Sequence, residues 1–113
     1  MNDLKITILE NFLKDSNSES VLVIDEKGKL EASVNVSNQE SIGAMGAAII
    51  SMTAKFLDDL ENGIMKQMFI KTTDSLVVFN KIDDNHALIA FSKDGKNLGL
   101  FLRSVEELAL NLK

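Results

Sequence analysis

Cysteine is absent from this chain, which excludes disulfides, iron–sulfur clusters and thiolate zinc sites and leaves burial alone to stabilise the fold. The cytoplasm is then the natural compartment. Histidine and arginine each occur once, as His86 and Arg103, so acid–base and phosphoryl chemistry have few carriers. The N-terminal "MNDLKITILENFLKD" holds acidic residues early and lacks the uncharged core of a signal peptide. One bare run does occur, "SIGAMGAAIISMTA" at 41–54, but it is shorter than the about 20 apolar residues that span a bilayer. Basic charge is not concentrated either: the net charge is −5 and the lysines are scattered, which argues against nucleic acid phosphates and anionic lipid as partners.

What is present has globular proportions, with 45% hydrophobic and 26% charged residues in a chain of 113. At that length about two thirds of the unfolded chain's surface is buried on folding, around one core. No linker, repeat or second compositional block interrupts it, so residues 1–113 read as a single domain.

Leu4, Ile8, Leu9, Phe12 and Leu13 fall at helical spacing and predict a short amphipathic helix over 3–14. "VLVID" at 21–25 and "LEASVNV" at 30–36 flank the turn residues "EKGK" and predict a hairpin. "SNQE" at 37–40 fits a capping box, placing the start of a long helix near Asn38, and Gly63 in "ENG" is suited to closing it. Strands follow in "IMKQMFIKT", "SLVVFNK" and "HALIAFS". A last helix over 97–112 aligns Leu98, Phe101, Leu102, Val105, Leu108 and Leu112. The order is helix-strand-strand-helix-strand-strand-strand-helix. Short turns between consecutive strands imply antiparallel pairing, and hence an α+β fold with helices packed on a sheet.

The long helix carries more apolar surface than one sheet face requires. Stepping about 100° per residue, Ile42, Met45, Ile49, Met52, Thr53, Phe56 and Leu60 form a stripe of large side chains suited to lying on the sheet. Gly43, Gly46, Ala47, Ile50, Ala54 and Leu57 form a second stripe of smaller residues. Gly43 and Gly46 together forgo about 2 kcal/mol of helix propensity unless close backbone approach offsets it. The expectation is a homodimer in which the small stripe meets the same helix of a second copy, since twofold self-complementary interfaces are the commonest kind. The alternative is that the chain's own parts cover it.

The segments "VLVIDEKGKLEASV", "ESIGAMGAAIISMTAKFLDDL", "SLVVFNKIDDNHALIAF" and "LGLFLRSVEELALNL" together resemble the roadblock family, which includes a dynein light chain and prokaryotic regulators of small Ras-like GTPases. The resemblance covers nearly the whole chain. It implies a roadblock/profilin-like five-stranded antiparallel sheet, with the long helix on one face and the terminal helices on the other. It also implies dimers in which the long helices pack antiparallel and edge strands join, "IMKQMFIKT" being the joining edge and Met65, Met68 and Ile70 its contributors to the contact. The implied role is a platform for a small Ras-like GTPase, or an adaptor in a motor or signalling complex, without chemistry of its own. A small-ligand sensor is the reading from another class.

Candidate chemistry is sparse. His86 follows Asp83, Asp84 and Asn85, yet without a second histidine or a cysteine the cluster reads as a solvated turn and not as a metal site. Arg103 invites comparison with an arginine finger, but a position three and four residues before Glu106 and Glu107 on a helix accounts for it by ordinary pairing. "KDGKN" at 93–97 precedes a helix N-terminus without the Gly-rich signature of a phosphate loop. No nucleophile stands beside a base, so no catalytic residue, metal or cofactor is assigned.

Overall fold

Strand residues buried on both faces fix the architecture. The computed structural model describes residues 2–93 and 97–113. Its elements are α1 (Asn2–Ser16), β1 (Ser20–Asp25), β2 (Leu30–Val34), α2 (Gln39–Asp59), β3 (Gln67–Lys71), β4 (Leu76–Asp83), β5 (His86–Ser92) and α3 (Leu98–Asn111). The five strands form one sheet in the order β2-β1-β5-β4-β3, with every neighbouring pair antiparallel. The α+β fold and its element order match the sequence reading.

β1 shows why the strands read as near-continuous apolar runs. Val21 and Val23 face a layer built from Leu9, Phe12 and Leu13 of α1 with Phe101, Val105 and Leu108 of α3. Leu22 and Ile24 face the opposite side, where α2 lies. β5 repeats the pattern, with Leu88 and Ala90 toward α1 and α3, and Ala87 and Ile89 toward α2. A strand covered on both faces has no polar side to alternate with. Each fully buried Leu, Ile or Phe contributes roughly 1.5–3 kcal/mol, so these two layers hold the sheet between them.

Both ends of α2 differ from expectation. The capping box does not form: Asn38 is the N-cap, in the left-handed region at φ 53°, and its side chain makes no capping bond. Gln39 instead accepts the Ser33 hydroxyl, which ties the helix start to β2. At the other end Glu61, at φ 53°, takes the left-handed position that closes the helix, and Gly63 has positive φ too, 90°, but two residues beyond it. The Glu61 N–H donates to the Asp58 carbonyl and the Asn62 N–H to the Leu57 carbonyl, each at 3.0 Å, the paired bonds that close a helix.

β3 is shorter than the stretch 64–72 suggested. Its position is held by a buried polar link absent from the sequence reading: Gln67 Nε2 donates to Asn80 Oδ1 and to the Leu102 carbonyl, both at 2.8 Å. Asn80 is buried, so this amide pair couples β3 to β4 and α3 at once. Among the described residues no buried side-chain polar atom lacks a partner.

Candidate functional site

The two glycines of α2 lie against the chain's own sheet, and most of its largest side chains face outward. Gly43 and Gly46 are its buried residues. A Cβ on Gly46 would sit 2.4 Å from Ile89 Cδ1, and one on Gly43 would sit 3.0 Å from the Gly28 carbonyl oxygen. Ile42, Ala47 and Ile50 pack with Leu22, Ile24 and Ile89. The glycines therefore let α2 approach β1, β5 and the β1–β2 turn closely, which offsets their helix-propensity cost.

This reverses the two faces expected from the sequence. Gly43, Gly46, Ala47 and Ile50 meet the protomer's own sheet, and Leu57 is half-buried; Ala54 is exposed. Met45, Ile49, Met52, Phe56 and Leu60, expected on the sheet, are exposed, Met52 at 76% and Phe56 at 62%. Ile42, expected on the sheet, does pack there, so helical periodicity separates the two stripes only in part and does not say which is inside. The decisive quantity is the distance between helix axis and sheet, and short distances select small residues.

β3 extends the uncovered face. It lies at one edge of the sheet and, among the described residues, pairs only with β4, an open edge that offers its outer backbone groups to another strand. Met68 stands opposite Phe79 and Ile70 opposite Val77, which places both on the α2 side. Thr53 of α2 is 3.5 Å from Met68 Sδ, so stripe and strand adjoin. Met68 is half-buried and Ile70 exposed. Met65 does not belong to this face: it is buried within the protomer, ahead of β3.

The charged candidates have structural roles. His86 Nδ1 is 2.9 Å from Asp83 Oδ1, and Nε2 is 3.9 Å from Glu31, which pairs at 3.3 Å with Lys5 of α1. Asp83 thus belongs to a string of polar contacts that runs through His86 and Glu31 to Lys5 across one end of the sheet. Among the described residues no group of three or more His, Asp or Glu side chains is placed to hold a metal ion. Burial pushes the Asp83 carboxyl up, but the Asn85 N–H and the His86 ring outweigh it and hold the group below its ordinary value. A carboxyl depressed on folding contributes stability above its unfolded pKa, about 3.9, and loses it as pH falls through the folded value. Asp83 is largely solvated, so the effect stays under about 1 kcal/mol. Urea midpoints of the wild type and Asp83→Asn are expected to differ at pH 7 and to converge as the pH falls below the folded value of Asp83.

Arg103 projects from the exposed face of α3, and among the described residues no ion pair joins it to Glu106 or Glu107. Of "KDGKN", residues 94–96 lie outside the described ones. Asn97 is the N-cap of α3, its Oδ1 accepting the Leu100 N–H at 3.0 Å.

A Roadblock/LC7 domain profile matches residues 4–92, from α1 to the end of β5. The chain belongs to the Roadblock/LC7 family. Solved structures agree on the fold of this Roadblock/LC7 chain. Myxococcus xanthus MglB superposes with a TM-score of 0.90 at 14% identity, covering 96% of this chain and 91% of that one. An MglB with tetrameric arrangement gives 0.90 at 14% identity, covering 98% and 86%. Acanthamoeba castellanii profilin II gives 0.69 at 17% identity, covering 94% of each chain. No curated protein sequence matches it. At these identities the likeness establishes the roadblock/profilin-like fold and nothing finer.

Proposed function

We propose that this Roadblock/LC7 chain is a non-catalytic homodimeric binding module that regulates or scaffolds a small Ras-like GTPase in the cytoplasm. The observation that carries the reading is the outward stripe Met45–Ile49–Met52–Phe56 of α2 beside the open edge of β3. Large apolar side chains contiguous on one side of a small soluble domain mark a protein interface. A second copy is the occupant that fits best, because a twofold axis beside β3 pairs stripe with stripe and edge with edge, satisfying free backbone groups and apolar surface together. Ile70 remains within reach of that contact, whereas Gly43, Gly46 and Met65 act by shaping the protomer and Ala54 lies on the other flank of α2, beside Ile24, Ala47 and Ile50. The tetrameric arrangement named for one MglB structure is consistent with a fold that self-associates.

The GTPase assignment rests on family membership together with the sparseness of chemical groups on the protein. No helix of the described residues is long and apolar enough to cross a membrane. Binding to Ras-like GTPases from the same cell, each loaded with GDP or a non-hydrolysable GTP analogue, tests the assignment by calorimetry. A difference of at least about tenfold between nucleotide states is expected of a switch regulator. Equal affinities would leave a structural adaptor, and no binding would remove the GTPase from the reading.

A further inference from the structure

A second surface lies on the far side of the sheet, between α1 and α3. The Phe12 and Phe101 rings, with centroids 6.3 Å apart, pack the two helices together. Beside that contact runs an open groove of about 570 Å³. Ile8, Phe12 and Leu108 supply its apolar lining, and Phe12 and Leu108 are buried. The wall hydroxyls do not bridge it: Ser16 Oγ donates to the Phe12 carbonyl at 2.6 Å and Ser104 Oγ to the Leu100 carbonyl at 3.0 Å, each within its own helix. Among the described residues no hydrogen bond or ion pair joins α1 to α3. The charged side chains lining the groove are Asp15 from α1 and Glu107 from α3, both acidic.

We propose that this groove docks an amphipathic helix of a partner protein that carries Lys or Arg along the borders of its apolar face. An apolar floor between two carboxylates is complementary to such a helix in both respects. Like charges on the two walls oppose closure of the groove by its own side chains, and an inserted cation relieves them. Leu4 and Leu100, 67% and 61% exposed, precede Ile8 and Ser104 by four residues and extend the walls by one turn each with apolar surface. From Leu4 to Asp15 the α1 wall runs about 16 Å, which suits about three turns of helix. Anionic lipid and nucleic acid are disfavoured by the same carboxylates. Because α2 and β3's exposed stripe lie on the other side of the sheet, the groove stays open in the proposed dimer, and this inference stands independently of it.

The test uses the full chain and a synthetic helical peptide of Leu and Lys, with Leu at i, i+3, i+4 and i+7, beside a counterpart with Glu in place of Lys. Amide NMR shifts caused by the Lys peptide are expected in α1 and α3. The double reversal Asp15→Lys/Glu107→Lys, at two exposed positions, is expected to weaken the Lys peptide by at least about tenfold and to confer binding of the Glu peptide. The proposal is overturned if neither peptide binds, if shifts map to α2 or scatter over the acidic surface, or if the double reversal leaves affinity unchanged. Shifts in α1 and α3 that follow protein concentration alone would assign the groove to a second copy and overturn it equally. Repeating the titration with Met52→Glu, which disrupts only the proposed dimer face, separates failure of the groove from failure of the dimer.

Discussion

Met52→Glu is expected to leave the chain folded but monomeric, at 12.4 kDa by light scattering, where the wild type is expected to scatter as a dimer. In the protomer the side chain is mostly in water, and a surface substitution of that kind changes stability by no more than about 0.5 kcal/mol. In a twofold interface each copy contributes the same residue, so two carboxylates are driven into an apolar contact without partners. Uncompensated buried charge costs about 3–5 kcal/mol, and 1.4 kcal/mol is a factor of ten in affinity. The dimer constant should therefore weaken by at least about 10³-fold while the thermal transition of the monomer survives. Ala47→Glu is the opposed control, because Ala47 packs on the chain's own sheet and a charge there should unfold the protomer. The inverse result, with Ala47→Glu folded and monomeric and Met52→Glu unfolded, would restore the face assignment that the sequence alone suggests.

That inversion shows what the sequence makes legible. The hairpin at 21–36, the strands near 76–81 and 86–92 and the last helix are stated by local patterns: β-branched runs, turn residues, and leucines at helical spacing. Pairing order follows from short connections. The inward face of α2 is not local in this sense, because it depends on how near the helix lies to β1 and β5. Hydrophobicity ranks Met52 and Phe56 above Gly43 and Gly46, yet in this fold the glycines permit the contact and the large side chains are excluded from it. The left-handed Asn38 and Glu61 were equally out of reach, since Ser37 and Gly63 are the better residues for those positions in isolation and tertiary placement overrides them. The Gln67–Asn80 link joins residues on different strands to an α3 carbonyl, a contact with no sequence signature. The α1–α3 groove is a space between elements, and its acidic walls become apparent only once Asp15 and Glu107 are brought to one place.

Gly28→Ala is expected to destabilise the protomer by about 2–4 kcal/mol, more than any comparable change at the helix glycines. Gly28 sits in the β1–β2 turn at φ +85°, where an L side chain costs roughly 1–2 kcal/mol. Its Cβ would also lie 3.0 Å from Ala44 Cα and 3.2 Å from the Gly43 carbonyl oxygen, both backbone atoms of α2 that cannot rotate away. The turn has little slack to absorb the change, because the Lys27 and Lys29 N–H groups both donate to Asp25 Oδ1 at 2.9 Å. The Lys29 N–H bond is the main cause that holds Asp25 below its ordinary pKa, although burial opposes it. Gly46→Ala meets a side-chain obstacle and not a backbone one: the Cδ1 end of the buried Ile89 must shift within a packed core, while the helix gains about 1 kcal/mol of propensity. The two partly offset, so its net loss should be smaller than that of Gly28→Ala, whereas Gly46→Leu should be severe because a large side chain has no space between α2 and the sheet. Each kcal/mol shifts the midpoint of a domain this size by roughly 4–8 °C, so Gly28→Ala should melt at least about 10 °C lower. The comparison belongs in the Met52→Glu background, since dimer formation stabilises whatever protomer it binds and would otherwise mask part of the loss. If Gly28→Ala and Gly46→Ala melt together there, α2 does not ride as close to the β1–β2 turn as the structure places it, and the outward stripe loses its physical cause.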